Sequence, residues 1–378
     1  MIKQRRALAL ALSAGVAAGG LTGTAAAADR TPLRELMHRL TTVDGGPGAV
    51  LHVRDRRGGT VLTSGVADVT SRAPMRAGSE YRIGSMTKPF VATVLLQLVG
   101  ERRVVLDAPV ERYLPGVVRG NGNDGRAVTV RQLLQHTSGI PDYLAHLDRQ
   151  EILRNPLVHH DTRGLVDFAL THPRTFEPGE RWGYSNTNYL LAGMIIQRVT
   201  GHTYGREIRR RVIGPLGLRH TSVPGDSTAI PGPHPRGYAR PGPDAPLLDI
   251  TAFNPSLAGA SGSMISSGAD LNRFLGALVG GRLLRPAQLR EMMRTRSTRN
   301  PGDPVDPHHR AYGLGLESKT LPCGGLYWGH SGDVLGFKTA GGATVGGGQA
   351  TVMVNLDPGA TRAQGDDMTA AVRTALCR

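Results

Sequence analysis

The period of the hydrophobic pattern changes twice along this chain, and the order of those changes constrains the fold more than any single motif does. Residues 33–40 carry apolar side chains at helical spacing behind Thr31 and Pro32. Short alternating stretches at 49–53 and 60–66 follow, joined by the hairpin signal Asp55-Arg56-Arg57-Gly58-Gly59. A short apolar stretch, Tyr81 to Ile83, leads through Gly84-Ser85 into a buried helix marked by Phe90, Val91, Val94, Leu95 and Leu98. From about 105 to 285 the signals are mostly helical, at 130–135, 163–170, 188–199, 204–213 and 269–278. A Pro/Gly/His-rich surface loop between Pro224 and Pro246 interrupts them. After a helix at 286–293 the period returns to two, which predicts strands at 312–316, 326–329, 337–341 and 350–355. Residues 361–376 close the chain as a helix. Strands bracketing a helical run define the α+β class: an antiparallel sheet covered by the N- and C-terminal helices, with a mostly helical inserted subdomain at about 105–285.

The first 28 residues read as a leader rather than as part of this fold. Lys3, Arg5 and Arg6 precede an apolar stretch of small residues, and Ala25 to Ala28 offer an A-x-A cleavage site before Asp29. The expectation is a secretory signal peptide at 1–28, one folded mature domain at 29–378, a secreted location and no membrane span after cleavage. Removing the leader takes three cations and no acid, so the formal charge falls from +15 to +12. That balance suits association with anionic cell-wall polymers, but no Lys/Arg run alternates with aromatics, so nucleic acid is not an expected partner. Two cysteines, Cys323 and Cys377, in an exported chain predict one disulfide. The protein is expected to be a monomer.

The chemistry-bearing residues lie at element boundaries. Ser85-Met86-Thr87-Lys88 places a hydroxyl and an amine one helical turn apart on one face, a nucleophile with its own base. A serine at the start of a buried helix also presents its backbone N–H to a developing oxyanion. Tyr184-Ser185-Asn186 occupies a second loop-to-helix junction, and His330-Ser331-Gly332 ends an apolar strand. Each is ordinary alone; their order in one chain is not.

Ser-x-x-Lys, then Tyr-x-Asn, then a basic residue with x-Gly on a late strand resembles the penicillin-recognising serine hydrolases. The likeness is nearest to secreted actinomycete D-alanyl-D-alanine carboxypeptidases and class C β-lactamase-like proteins. It extends to residues 81–88, Leu133-Leu134-Gln135-His136-Thr137-Ser138-Gly139, Tyr184 to Tyr189, Gly313 to Leu316, Gly329 to Gly332 and the paired cysteines. The resemblance implies a β-lactamase/transpeptidase-like fold. It makes Ser85 the acylated nucleophile, Lys88 its partner and Tyr184 the general base, which requires a phenol pKa well below about 10. It makes Asn186, His330, Ser331 and Gly332 substrate-binding, and the N–H groups of Ser85 and Asp333 the oxyanion hole. His330 replaces the lysine of many relatives, so its charge is expected to depend on pH near neutrality.

The departures bear on substrate. By spacing from Cys323, Glu317 stands where related peptidases carry a carboxylate-gripping arginine, so an acid here repels a terminal carboxylate and attracts an amine. Asp333 adds a second negative group, and Leu257 stands where relatives often show tryptophan. Carboxypeptidase action on cell-wall D-Ala-D-Ala peptides is the first expectation, with esterase, D-aminopeptidase and slow β-lactamase activity as alternatives. A non-catalytic penicillin-binding or scaffold protein is the alternative from another class. No cofactor is expected. His159-His160-Asp161 and His308-His309 lack zinc-site spacing, and the glycine-rich stretch from Gly341 to Gly348 is a hairpin turn rather than a phosphate loop.

Overall fold

The computed structural model of this chain describes residues 31–56, 58–242, 245–304, 306, 309–358, 361 and 363–378. The expected leader, Arg57 of the first hairpin turn, Pro243 and Asp244 of the Pro/Gly/His-rich loop and His308 lie outside the described residues. The elements that build and position the site are α1 (Thr31–Thr42), β1 (Gly48–Asp55), β2 (Gly58–Gly65), α2 (Thr87–Gly100), α3 (Val130–Gln135), α4 (Thr187–Thr200) and α5 (Gly268–Val279). Then come β3 (Arg296–Ser297), β4 (Ala311–Tyr312), β5 (Glu317–Thr320), β6 (Leu326–Val334), β7 (Phe337–Ala343), β8 (Gln349–Val354) and α6 (Ala363–Leu376).

The strands form one antiparallel sheet in the order β2-β1-β8-β7-β6-β5-β4-β3. Two layers of helix bury its faces, and strand alternation decides which residue serves which layer. Ala49 and Leu51 of β1, with Ala350, Val352 and Val354 of β8, pack on α1 and α6 through Leu33, Met37, Leu40, Met368 and Val372. Val50 and Met353 point the other way, into a larger cluster with Leu271, Phe274 and Leu278 of α5. Thr351, buried on that face, donates to Asn272 Oδ1 at 2.7 Å. The N- and C-terminal helices therefore cover one face, as the hydrophobic pattern predicts.

Between β2 and β3 most of the regular elements are helices. Among them, α2 is apolar on almost every side, the mark of a helix enclosed by others. Phe90 stacks on Phe274 with ring centroids 3.6 Å apart. A small ladder pairs residues Glu80–Arg82 with Ile265–Ser267 and delivers the chain to Ser85. α3 starts in a capping box between Thr129 and Gln132 and stops at His136, whose φ of 59° turns the chain out of the helix.

Three expectations about strands change. The alternation of Tyr312, Leu314 and Leu316 looks like one strand, but Gly315, at φ 79°, reverses the chain, and pairing resumes at Glu317. β6 continues past Gly329 to Val334, so His330 to Asp333 lie within the strand instead of after it. Gly341 to Ala343 belong to β7, and only the residues after them make the turn. The structure joins Cys323, just before β6, to Cys377 at the end of α6. Among the described residues, no helix is long and apolar enough to cross a membrane.

Candidate active site

Ser85 occupies a 3-10 turn, Gly84–Met86, that opens into α2. Gly84 has a φ of 50°, and a Cβ there would lie 2.7 Å from the Asp333 carbonyl oxygen, so only glycine fits. Lys88, one turn on, is fully buried. Its Nζ lies 2.9 Å from Ser85 Oγ, 2.8 Å from Asn186 Oδ1 and 2.8 Å from the Ser261 carbonyl oxygen. Tyr184 donates its hydroxyl to Ser85 Oγ at 2.8 Å. Two helix starts thus bring Ser85, Lys88, Tyr184 and Asn186 into one hydrogen-bonded group.

Burial decides their charge. Desolvation pulls Lys88 down to about 7, opposed by the fields of Asp142 and Asp333. The same effect pushes the Tyr184 phenol well above its usual value, although its bond to Ser85 pulls the other way. The lowered phenol expected from the family role of Tyr184 is not what this structure contains. Lys88 is therefore the group poised near neutrality, and Tyr184 is a protonated donor.

His330 also departs from expectation. Burial brings its imidazole down to about 4, with Glu317 opposing and Lys88 assisting. Its Nδ1 faces the Ser331 carbonyl, which can only accept, so Nδ1 carries the proton. Nε2 then accepts from Tyr312 Oη at 2.8 Å. The imidazole is neutral throughout the neutral range, and its charge does not switch there.

β6 supplies the opposite wall. The two-residue turn Leu335-Gly336 makes Val334 and Phe337 a hydrogen-bonded pair, so Asp333 and Lys338 form the non-hydrogen-bonded pair next to it. The Asp333 N–H therefore points away from β7, to the edge that β5 leaves open beyond Gly329. A Cβ at Gly84 would lie 2.8 Å from that nitrogen. This places the second expected oxyanion donor beside the Ser85 turn. The Asp333 side chain meets Lys338 at 3.2 Å. Gly332, expected to bind substrate, packs instead on the nucleophile turn: a Cβ there would stand 2.0 Å from the Ile83 carbonyl oxygen.

Ser85 opens into a cavity of about 460 Å³. Its lining combines the apolar Leu144, Leu147, Ile152, Phe253, Leu257 and Leu335 with Trp182, Tyr184, His330 and Ser331 and with the charged residues Arg149, Arg310, Glu317, Asp333 and Asp357. Glu317 thus reaches the cavity wall as the spacing predicted, but it is not the bare acid expected. Lys319 Nζ lies 3.0 Å from its Oε2 and Arg310 3.8 Å from its Oε1. Burial works against the carboxylate, yet Lys319, His330 and Arg310 outweigh it and hold it down to about 2. The charge persists, and two cations offset its repulsion of a substrate carboxylate. Arg310 stands beyond hydrogen-bond distance, which leaves Oε1 lone pairs for a donor in the cavity.

The loop after α3 cradles the Tyr184 loop, and sequence reasoning missed this. His136, fully buried, accepts from Ser185 N and Asn188 Nδ2, each at 3.2 Å, and its ring centroid lies 4.3 Å from that of Tyr184. Ser138 donates to Asn188 Oδ1 at 2.7 Å, and the Pro141 carbonyl accepts from Thr187 Oγ1 at 2.7 Å. Asp142 accepts from Asn186 N at 3.1 Å and from Asn186 Nδ2 at 3.0 Å. The available signal was the stretch from Leu133 to Gly139, which carries a family likeness without an assigned task.

A serine and a lysine one turn apart, a tyrosine on the serine and an open strand edge with a backbone donor define a serine hydrolase of the penicillin-binding and β-lactamase fold. The family described as Beta-lactamase matches residues 33–374, and this chain belongs to it. Among solved structures, the chain is similar to a D-stereospecific amidohydrolase from Streptomyces sp. at 41% identity, TM-score 0.83, covering 91% of this chain and 98% of that one. It is also similar to the D-amino acid amidase from Ochrobactrum anthropi SV3 complexed with D-phenylalanine, at 28% identity, TM-score 0.78, covering 92% and 98%. Penicillin-binding protein 4* of Bacillus subtilis (strain 168) is 29% identical over 304 residues, 75% of this chain but only 62% of that protein's length.

Proposed function

We propose that this protein hydrolyses amides of D-amino acids that carry a free α-amine, through an acyl-enzyme on Ser85. The observation that carries this reading is Glu317, a buried carboxylate kept ionised in the wall of the cavity into which Ser85 opens. It offers an ammonium group a partner within the site. The similarity to an amidohydrolase and an amidase whose descriptions specify D-amino acids supports the same choice over carboxypeptidase action. The leader expected over residues 1–28 would place the activity outside the cytoplasm.

The proton path follows from the acceptors around Lys88. Asn186 Oδ1 and the Ser261 carbonyl can only accept, so two hydrogens of the amine stay on them. When Lys88 is neutral, its lone pair faces Ser85, and the hydroxyl proton passes to Nζ as Oγ attacks the amide carbon. The oxyanion is held by the N–H groups of Ser85 and Asp333. As the C–N bond breaks, Tyr184 gives its proton to the leaving nitrogen, and Lys88 restores the phenol. Ammonia departs from a Ser85 ester. Water then attacks the ester, losing its proton to Lys88 while Ser85 Oγ regains one from Tyr184; Lys88 again returns its proton to the phenolate, and the D-amino acid leaves.

Steady-state kinetics on D- and L-phenylalanine amide, N-acetyl-D-phenylalanine amide and a D-alanyl-D-alanine peptide with a free carboxylate test this reading. The free D-amide should exceed the L-amide and the acetylated amide in kcat/KM by about tenfold or more, which is roughly 1.4 kcal/mol. Glu317→Gln should raise KM for the free amine far more than for the acetylated one. Ser85→Ala should lower turnover by about 10³-fold or more. Preferred turnover of the free-carboxylate peptide would overturn the reading and return carboxypeptidase to first place.

A further inference from the structure

We infer that Asp142 is a positioning residue of the reaction: its carboxylate fixes the Asn186 amide in the one orientation that gives Lys88 an acceptor, and so sets where Lys88 exchanges its proton. This rests on the role given above to Lys88. Asp142 lies in the turn after Gly139, as the N-cap of a short 3-10 helix, Tyr143–Ala145.

Its carboxylate accepts three hydrogen bonds, from Leu144 N at 3.3 Å, Asn186 N at 3.1 Å and Asn186 Nδ2 at 3.0 Å. An amide flipped at Asn186 would turn its carbonyl oxygen towards Asp142 and its NH2 towards Lys88, setting acceptor against acceptor and donor against donor. The carboxylate excludes that state. Asn186 Oδ1 therefore meets Lys88 Nζ at 2.8 Å, and with the Ser261 carbonyl it leaves a neutral Lys88 only the Ser85 direction for its lone pair. The neighbouring bonds serve the same end. Tyr143 N donates to Thr187 Oγ1 at 3.0 Å, and the Pro141 carbonyl accepts from Ser185 Oγ at 3.3 Å, so the two loops are tied together on either side of Asp142.

Charge acts through the same contact. The titratable groups facing Lys88 are Asp142 and Asp333, which favour its ammonium, His136 and His330, whose protonated forms oppose it, and Tyr184 and Tyr189, whose rings lie 4.8 and 5.4 Å from Nζ. Asp142 is the larger of the two acidic influences. Removing its charge should make Lys88 a weaker base and lower the pH at which it becomes neutral. A residue that merely braces the loops would lower the rate and leave that pH alone.

The test is the rate of Ser85 labelling by a fluorophosphonate between pH 5 and 9, which needs no knowledge of the natural substrate. Wild type should show a rate rising through about pH 7. Asp142→Asn should label at least about tenfold more slowly, with the rise moved down by about half a pH unit or more. The exchange Asp142→Asn with Asn186→Asp keeps a hydrogen-bonded amide and carboxylate pair between the loops while putting the carboxylate directly on Lys88. It should move the rise up by about one unit or more. A rise that stays in place in both variants, or moves the same way in both, overturns the inference. If Asp142→Asn fails to fold, the exchange alone decides it, by an upward shift or none. A wild-type rate without any rise near neutrality would instead count against Lys88 as the base, a separate failure.

Discussion

Lys88 sits where the loss of solvent outweighs the attraction of two acids, and that net effect fixes how the reaction should respond to pH. With its pKa at about 7, the neutral fraction rises through the neutral range, while Tyr184, well above its usual value, stays protonated beyond it. His330, at about 4, has already lost its proton. For a substrate or probe without a titratable amine, the rate should therefore rise through about pH 7 to a plateau reaching at least pH 9, instead of forming a bell. A substrate held by its ammonium adds a falling limb as its own α-amine loses its proton near about pH 8. Tyr184→Phe should keep the rising limb and lower the plateau by about 10² or more, since it removes the donor to the leaving nitrogen and spares the base. A limb abolished by Tyr184→Phe would show that the phenol is the base after all. Ser85, Lys88, Tyr184 and Asn186 were legible because each motif is compact in sequence and begins a helix. The protonation states were not, because burial is created by distant segments. Ser261 and Asp142, which hold the amine and the amide in place, belong to a short helix and a turn that lie 173 and 44 residues away from their partners.

At the scale of elements, β6 shows why the site's own strand is the hardest to delimit from sequence. Its first part alternates as a core strand does, with Trp328 on the inner side and Tyr327 on the other. From His330 to Asp333 the side chains are polar or absent, because this half faces chemistry instead of core, and hydrophobic alternation stops while backbone pairing continues to Val334. The opposite error arises at Tyr312 to Leu316, where an alternating pattern belongs to a tight reversal. A Cβ at Gly315 would stand 2.5 Å from Ala92 Cβ, so the reversal is pressed onto α2. Helices were read more accurately, since α2, α4 and α5 each carry an apolar surface many residues long. The close approach of β6 to the nucleophile turn gives a prediction at this scale. Gly332→Ala would place a methyl 2.0 Å from the Ile83 carbonyl oxygen and 3.0 Å from Met86 N, both backbone atoms of or beside the Ser85 turn. The strand must move off that turn, widening the oxyanion site. Turnover should fall about 10²-fold or more, with a stability loss of about 1–3 kcal/mol. Gly346→Ala, where the nearest atom would be Thr344 Oγ1 at 3.7 Å, is the control and should change neither. Unaltered kinetics in Gly332→Ala would mean that β6 does not bound the reacting carbonyl.

Taken as a whole, the molecule separates the layer that reacts from the layer that fastens the chain. Lys88 and its helix lie on the larger core, on one face of the sheet, while α1 and α6 pack on the other. The disulfide between Cys323 and Cys377 ties the segment before β6 to the end of α6, enclosing a sequence separation of 54 residues. In the chain-entropy account a closed loop of that length disfavours the unfolded state by about 4 kcal/mol. α6 needs such a tie, because it is the last element and has only one face against the sheet, through Met368, Ala371, Val372 and Ala375. The double variant Cys323→Ser, Cys377→Ser should therefore unfold at a lower temperature, by roughly 8 °C or somewhat less at about 2 °C per kcal/mol for a chain of this size. Its kcat/KM at 25 °C should stay within about twofold of wild type, because α6 does not line the cavity that holds Ser85. Differential scanning calorimetry beside amide hydrolysis separates the two quantities. An unchanged melting temperature would remove the disulfide from the stability of the fold. A large loss of activity at a temperature where the variant is fully folded would show that the strain of α6 is transmitted along β6 into the site, and that the two layers are not independent.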